Sequence, residues 1–289
     1  MMAPSFRPLP SLRRRRAKNA VLTGLLVSAI AIAIGVLSWV LLFVAIQGFS
    51  AISPSFLASN PPGNPSAAGG GFFNGIVGSF IVVGIAAVIA MPLGIGAAIY
   101  LVEYGGRLAG AIRFVNDVLI GIPTIVTGAF VYAIWVTRFG FSGFAGSLAL
   151  AVVILPLVTR TTEEMLRLVP NELREGSLAL GATRSQTVLR ICLPAALPGI
   201  ITGGMLAVAR AMGETAPLLL TALGNELFTE LNPLNRMETL SLQIFNNAFT
   251  GFQQAQARAW AGALTLIAIV LILTVVARFF GRRVRTANP

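Results

Sequence analysis

Six runs of apolar residues, each set off from the next by a polar or Gly/Pro-rich break, dominate this chain. They cover about residues 20–46, 72–102, 111–137, 144–162, 196–222 and 259–278. Each meets the requirement of roughly 20 apolar residues for a helix that crosses a hydrocarbon core of ~30 Å. The pattern therefore predicts an all-α membrane protein with six transmembrane helices. The first run is too long for the apolar region of a secretory signal, and no convincing small-x-small cleavage site follows it, so it reads as a retained helix. The organisation expected is a basic tail over 1–19, a first transmembrane helix over 20–46, a transmembrane core over 72–280 that holds a polar loop over 163–194, and a second tail over 281–289. Residues 50–71, rich in Pro, Gly, Ser and Asn, read as a connecting loop. In the segment 224–258, Leu240, Ile244, Phe245, Ala248, Phe249 and Phe252 recur at helical spacing, which predicts a short amphipathic helix at the outer face.

Composition agrees with this class. Hydrophobic residues make up 56% and charged residues 11% of the 289, with mean hydropathy +0.83, whereas a soluble domain carries roughly a quarter charged residues. The net charge of +11 suggests a nucleic-acid partner until the basic residues are placed. Of the 21 Lys and Arg, all but Arg138, Arg210, Arg236 and Arg258 fall in four clusters: the N-terminal tail, Arg107 with Arg113, the stretch Arg160 to Arg190, and the C-terminal tail. Six crossings put all four on the same side. That is the positive-inside bias; it removes nucleic acid, places both termini in the cytoplasm and sets the N-terminal tail against anionic headgroups, where it is expected to be disordered.

The residue inventory excludes most chemistry. The chain has no histidine, a single lysine (Lys18) and a single aspartate (Asp117), so Ser-His dyads, HExxH metal sites, Ser-Lys hydrolase sites and a two-aspartate protease are all impossible within it. No catalytic residue and no metal-ligand set is predicted. The one cysteine, Cys192, forms no disulfide framework and reads as a small buried residue. Transport or anchoring remains.

Prolines inside four runs, Pro92, Pro123, Pro156 and Pro217, predict helix kinks, which a membrane tolerates where neighbouring helices or a water-lined cavity satisfy the freed backbone groups. Small residues such as Gly75/Ser79, Gly94/Ala98 and Gly121/Gly128 suit close helix packing. Thr124 and Thr127 beside Pro123 are expected to bond back to their own helix. Asp117 is expected to pair with Arg113 at i,i+4.

The costliest feature is Arg210 with Glu214 inside the fifth run. Placing one arginine at a helix centre costs about 2.5–3.5 kcal/mol on insertion scales, and such residues usually mark an ion or substrate path. At i,i+4 the two share a helix face and partly neutralise each other. Counting ~1.5 Å per residue from Gly199 sets Arg210 about 16 Å into the membrane. Two roles stay open: an interhelical ion pair that never meets a substrate, or a pair that both packs and contacts what passes through. Thr215 adds a hydroxyl, and Pro217 loosens the helix beyond.

The loop before the fifth run has its own architecture. Pro170 stops the fourth run, Asn171 can cap a short helix from Glu172 to about Leu180, and Gly181 fits the left-handed position that closes it. Thr183 with Gln186 makes a capping box for a second short helix to about Ile191, which Leu193-Pro194 ends. On these residues the chain resembles a known family. Glu175, Gly181, Ile191 and Leu193-Pro194 match in spacing the EAA loop of bacterial ABC importer permeases, with small Gly176 and Ser177 in place of the two alanines. The run Ala209-Arg210-Ala211-Met212-Gly213-Glu214-Thr215-Ala216-Pro217 and the third-run stretch Asn116 to Tyr132 are similar to the phosphate-specific permeases of that family, A-subunit type. The likeness covers about residues 72–280.

That resemblance implies the type I ABC importer permease fold and a permease subunit that moves inorganic phosphate into the bacterial cytoplasm by alternating access. In family terms the loop docks on a partner ATPase, with Glu172, Glu175, Gly181, Ile191, Leu193 and Pro194 as coupling residues and Arg210, Glu214 and Thr215 on the substrate path. The implied partners are a C-type phosphate permease, an ATPase dimer and an extracytoplasmic phosphate-binding protein. This chain would bind no cofactor, ATP and Mg belonging to the ATPase; no P-loop pattern occurs in it. A permease for molybdate, sulfate or phosphonate and a membrane assembly factor that transports nothing are the competing readings.

Overall fold

The computed structural model describes residues 12–286; residues 1–11 and 287–289, the ends of the two predicted tails, lie outside them. The chain divides at Gln47–Gly48 into two compact units. In the first unit helix α1 (Leu12–Phe49) runs through the former tail residues Leu12 to Asn19, so this part of the tail is helical. Its apolar side chains, Leu25, Ile32 and Trp39 among them, stand exposed, as the all-round apolar surface of a membrane helix requires.

The second unit is a helical bundle. Helix α2 (Pro54–Ala58) leads to α3 (Phe73–Ile99), which a π-helical turn extends over Tyr100–Tyr104. Then come α4 (Arg107–Gly121), α5 (Thr124–Val131), a second π turn and α6 (Thr137–Phe139), and α7 (Gly143–Arg167). Two short helices follow, α8 (Asn171–Ala179) and α9 (Arg184–Thr187), before α10 (Leu193–Met212) and α11 (Ala216–Leu219). The chain closes with α12 (Leu240–Ala248) and α13 (Gln253–Thr286). Among the described residues five helices are long and apolar enough to cross a membrane, six if the bent pair α4 and α5–α6 is one span.

The core lies between α3, α7 and α10–α11. Val82, Ala86 and Ala90 of α3 meet Leu150, Ile154 and Val158 of α7 and Ala207, Ala211 and Leu218 beyond, with Ile269 and Leu273 of α13 closing the side. Near the α8–α9 loop a second cluster joins Ala98, Leu166, Val169, Cys192 and Ile200. At the opposite end Phe56, Phe72, Leu240 and Ala261 form a third.

The four prolines behave differently from one another. Pro92 and Pro156 sit inside continuous helices. Pro123 ends one instead: Ile122 before it is extended (ψ 128°), and the chain turns by 107° between α4 and the next arm. The steric demand of a proline ring on the preceding residue favours that extended form. Pro217 kinks nothing, because α10 has already stopped at Met212; it sits in the first turn of α11, where a missing N–H costs no hydrogen bond.

The predicted amphipathic helix is present as α12, though it is more enclosed than a purely interfacial helix: Leu240, Ser241, Leu242, Gln243 and Asn247 are all buried. Its first N–H donates to Ser79 Oγ across α3 (2.8 Å), and Gln243 Nε2 donates to Asn74 Oδ1 (3.0 Å). The segment before α12 also caps α7. Carbonyls of Thr221, Asn235 and Pro233 accept from Ser142, Gly143 and Phe144, satisfying N–H groups that a helix start leaves orphaned.

In this segment Glu238 is 1% exposed, and its Oε2 has no partner among the described residues. Burial, and next the nearby charge of Glu226, push its carboxyl up from 4.5 to about 8, against the backbone N–H groups of Thr239 and Asn225. The folded chain therefore holds this proton more tightly than the unfolded one. The linked stability is fully present below pH ~4.5, falls as pH rises to ~8 and then levels, by a few kcal/mol at about 1.4 per unit. Thermal unfolding in detergent from pH 5 to 9 should show a downward slope in wild type that Glu238→Gln flattens. Parallel slopes would mean that Glu238 contributes no proton linkage.

Candidate functional site

The charged pair sits at a helix end, not mid-helix. Gly213 N–H donates to Arg210 O (3.1 Å) and Glu214 N–H to Ala211 O (3.2 Å), closing α10. The carbonyl of Thr215 then accepts from Leu218 and Leu219 to start α11. Gly213 takes the cap position with right-handed backbone (φ −93°), and Pro217 lies just beyond. Across this break Arg210 Nε stands 3.4 Å from Glu214 Oε1, with the arginine side chain 62% and the glutamate 16% exposed. The contact is a single one, so the two terminal nitrogens of the guanidinium keep their donors for another group. The backbone of Glu214 is fixed from the far side, where Ser241 Oγ of α12 donates to its carbonyl (2.9 Å).

Arg210 lines a cavity of about 160 Å³ together with Thr124, Thr127, Pro156 and Arg160. Neither threonine hydroxyl makes the back-bond expected of it among the described residues; both belong to this wall. Arg160 also lines a second cavity, about 400 Å³, with Arg113, Asn116, Asp117, Glu163, Glu164 and Arg167. Here Asp117 does not pair with Arg113. Its nearest cation is Arg160 NH1 at 3.8 Å, while Arg113 NH2 reaches Glu163 Oε1 (3.2 Å), which Arg167 NH2 also holds (2.6 Å). Arg160 Nε donates to Glu164 Oε1 (3.0 Å). Arg160 thus stands between the two cavities. The sequence reading grouped it with the basic loop cluster and missed this placement, for which only the turn at Pro123 offered a signal.

The loop residues gather at the other candidate surface. Helix α8 starts at Asn171 with Pro170 in the cap position, and no side chain caps it; Asn171 Oδ1 instead accepts from Arg174 (3.3 Å). At its end Ala182 N–H donates to Ser177 O and Gly181 N–H to Leu178 O, the paired closure that needs a left-handed residue. Gly181 supplies it with φ +84°. The Thr183–Gln186 capping box is complete in both directions. Ser177 and Thr187 hydroxyls meet at 2.9 Å and lock the two short helices. Glu172 and Glu175 stand exposed and make no ion pair among the described residues, while Leu180 is 91% exposed.

Leu193-Pro194 does not end the second short helix. A π turn over Val188–Cys192, closed by Leu193 N–H to Val188 O, carries the helix on into α10, and Pro194 occupies its first turn. Ile191 and Leu193 are half-buried, with Leu193 rooted in the cluster of Ala98, Leu166 and Cys192. Coupling candidates thus split into an exposed tip (Glu172, Glu175, Gly181) and a stem (Ile191, Leu193, Pro194).

Residues 90–286 match the family model described as "Binding-protein-dependent transport system inner membrane component". The phosphate transport system permease protein PstA of Haemophilus influenzae is 42% identical over 270 residues, covering 92% of this chain and 94% of that protein. PstA 1 of Mycobacterium tuberculosis is 40% identical over 289 residues, covering 97% and 93%. Among solved structures, a bacterial alginate ABC transporter aligns with TM-score 0.67 at 15% identity, over 94% of this chain and 98% of that one. The MetNI methionine ABC transporter aligns with TM-score 0.52 at 21% identity, over 75% and 94%. These ABC transporter structures share the fold of this chain. The chain is a multi-pass membrane protein that belongs to the family of binding-protein-dependent transport system inner membrane components.

Proposed function

We propose that this chain is the A-type permease subunit of a bacterial phosphate importer, working by alternating access, with Arg210 on the substrate path. The observation that carries the reading is the guanidinium of Arg210 at the α10–α11 break, engaged once by Glu214 and facing a cavity it shares with Arg160. Relatives about 40% identical across the chain bear the phosphate permease name, which supports the choice of anion. Phosphate carries one to two negative charges near neutrality and crosses hydrocarbon only with a partner. A planar guanidinium binds two of its oxygens at once. Glu214 holds Arg210 while the path is empty, and its carboxylate accepts from a protonated phosphate hydroxyl, which sulfate lacks.

The same reading assigns the exposed tip Glu172–Gly181 to the groove of an ATPase pair, which binds ATP and Mg, leaving this chain without a cofactor. A C-type permease completes the pore, an extracytoplasmic phosphate-binding protein delivers the substrate, and both termini face the cytoplasm of a bacterial cell. The test is radiolabelled uptake in cells lacking their own copy. This chain should restore phosphate uptake and leave sulfate and molybdate uptake unchanged. Restoration of either other anion would move the chain to another oxyanion; no uptake at normal membrane abundance, with all partners present, would favour an assembly factor.

A further inference from the structure

Arg174 is the most enclosed cation of the α8–α9 loop. Its guanidinium donates from Nε (3.1 Å) and NH2 (3.0 Å) to Glu103 Oε1, from NH2 to Leu166 O (2.8 Å), and from NH1 to Val169 O (2.5 Å) and Asn171 Oδ1 (3.3 Å). One planar group therefore joins three segments: the π turn that ends α3, the chain at and just after the end of α7, and the start of α8. Both side chains are largely buried, 16% and 6% exposed. In every other ion pair among the described residues the arginine is about half exposed. Helix α9 grips the same π turn separately. Arg184 stacks over the Tyr104 ring at 5.4 Å, and the Tyr104 hydroxyl lies 3.4 Å from Ser185 Oγ.

We infer that Arg174 is the positioning residue through which movement of the α8–α9 loop reaches the membrane helices, with Glu103 in the Tyr100–Tyr104 turn as its receiver. The inference rests on the proposed docking of this loop on an ATPase. A desolvated, multiply bonded pair transmits displacement because neither partner can move alone: separation leaves a buried charge without compensation. The fork of the guanidinium fixes direction as well as distance, which an ammonium does not. The receivers are well chosen in the fold. Helices α3 and α7 pack on each other through the main core, and α7 carries Arg160 between the two cavities. A buried ion pair thus lies between the exposed tip and the helices that carry the anion path, while Glu175, the family's acidic signature, lies next to Arg174 in sequence and faces outward.

The test uses the whole transporter, permease pair with its ATPase, reconstituted in vesicles with the binding protein. Phosphate taken up and ATP hydrolysed are measured together for wild type, Arg174→Lys and Glu103→Gln, with exposed Arg107→Lys as control. Arg174→Lys keeps the charge but cannot reach Glu103, Leu166 and Val169 at once. The expected result is ATP hydrolysis within about twofold of wild type and at least a fivefold drop in phosphate moved per ATP, in both variants. A merely structural role would lower both activities in step and leave the ratio unchanged, which overturns the inference; so would loss of the assembled complex in both variants. Cross-linking of Leu180→Cys to the ATPase separates the two readings. If it fails in otherwise wild-type transporter, the docking assignment falls and takes this inference with it. If it persists in Arg174→Lys while the ratio is unchanged, docking stands and the role of Arg174 is wrong.

Discussion

Arg210→Gln should reduce phosphate uptake by about two orders of magnitude while the chain reaches the membrane in normal amount. Both halves follow from the geometry. The Arg210 side chain is 62% exposed and meets the largely enclosed Glu214 (16%) through one 3.4 Å contact; the arginine packs no core, and the backbone of Glu214 is held independently by Ser241. The fold therefore loses little. Transport loses the only cation that the α10–α11 break presents, and a hydrogen bond to a charged group is worth about 1.5–3 kcal/mol, roughly 10- to 100-fold for each one lost. Arg210→Lys keeps a point charge without the fork and should fall between, near tenfold. The measurement is initial uptake rate against membrane abundance by blot. Wild-type uptake by Arg210→Gln would make the pair a packing contact and remove it from the path.

The fold was legible where the signal is local. Long apolar runs announce membrane helices because hydrocarbon leaves the backbone no other partner than itself, and the capping box at Thr183–Gln186 formed as its spacing implies. Prolines were not equivalent, because sequence does not show what surrounds them. Pro156 is buried in α7, which continues through it; near Pro123, Gly121 has open space beside it, and the chain turns. The stop of α10 could have been read from Gly213 followed by Pro217, yet the apolar residues on both sides suggested a continuous helix. The passage through Pro194 was hidden for another reason. A π turn takes Leu193 N–H to Val188 O, five residues back, and so fits the proline into a helix start that its sequence seemed to forbid. Contacts such as Arg160 with Asp117, or Arg174 with Glu103, join residues 43 and 71 positions apart, and no spacing rule encodes them.

Gly128→Val should lower uptake at least tenfold, for a reason distinct from charge. Gly121 and Gly128 look alike in sequence, both small residues of one apolar run, and the structure separates them. A Cβ on Gly128 would stand 2.7 Å from Pro217 Cα and 2.8 Å from Pro217 O, whereas one on Gly121 meets nothing within 4 Å. Backbone lies on backbone at this contact between α5 and α11, and no flexible side chain is there to yield, so the helices must part. Overpacking of this sort costs about 1–3 kcal/mol, enough to shift α11; Gly128 itself lies outside the main core, to which α11 contributes Leu218. Pro217 follows Thr215 by two residues, so the displacement passes directly to the break that positions Arg210 and Glu214, and Thr127 beside Gly128 moves with the same cavity wall. Gly128→Ala should show a smaller loss, and Gly121→Val should transport as wild type. Uptake by Gly128→Val equal to that of Gly121→Val, at equal abundance, would mean that α5 and α11 separate in the working transporter and that the cavity wall is not set by their contact.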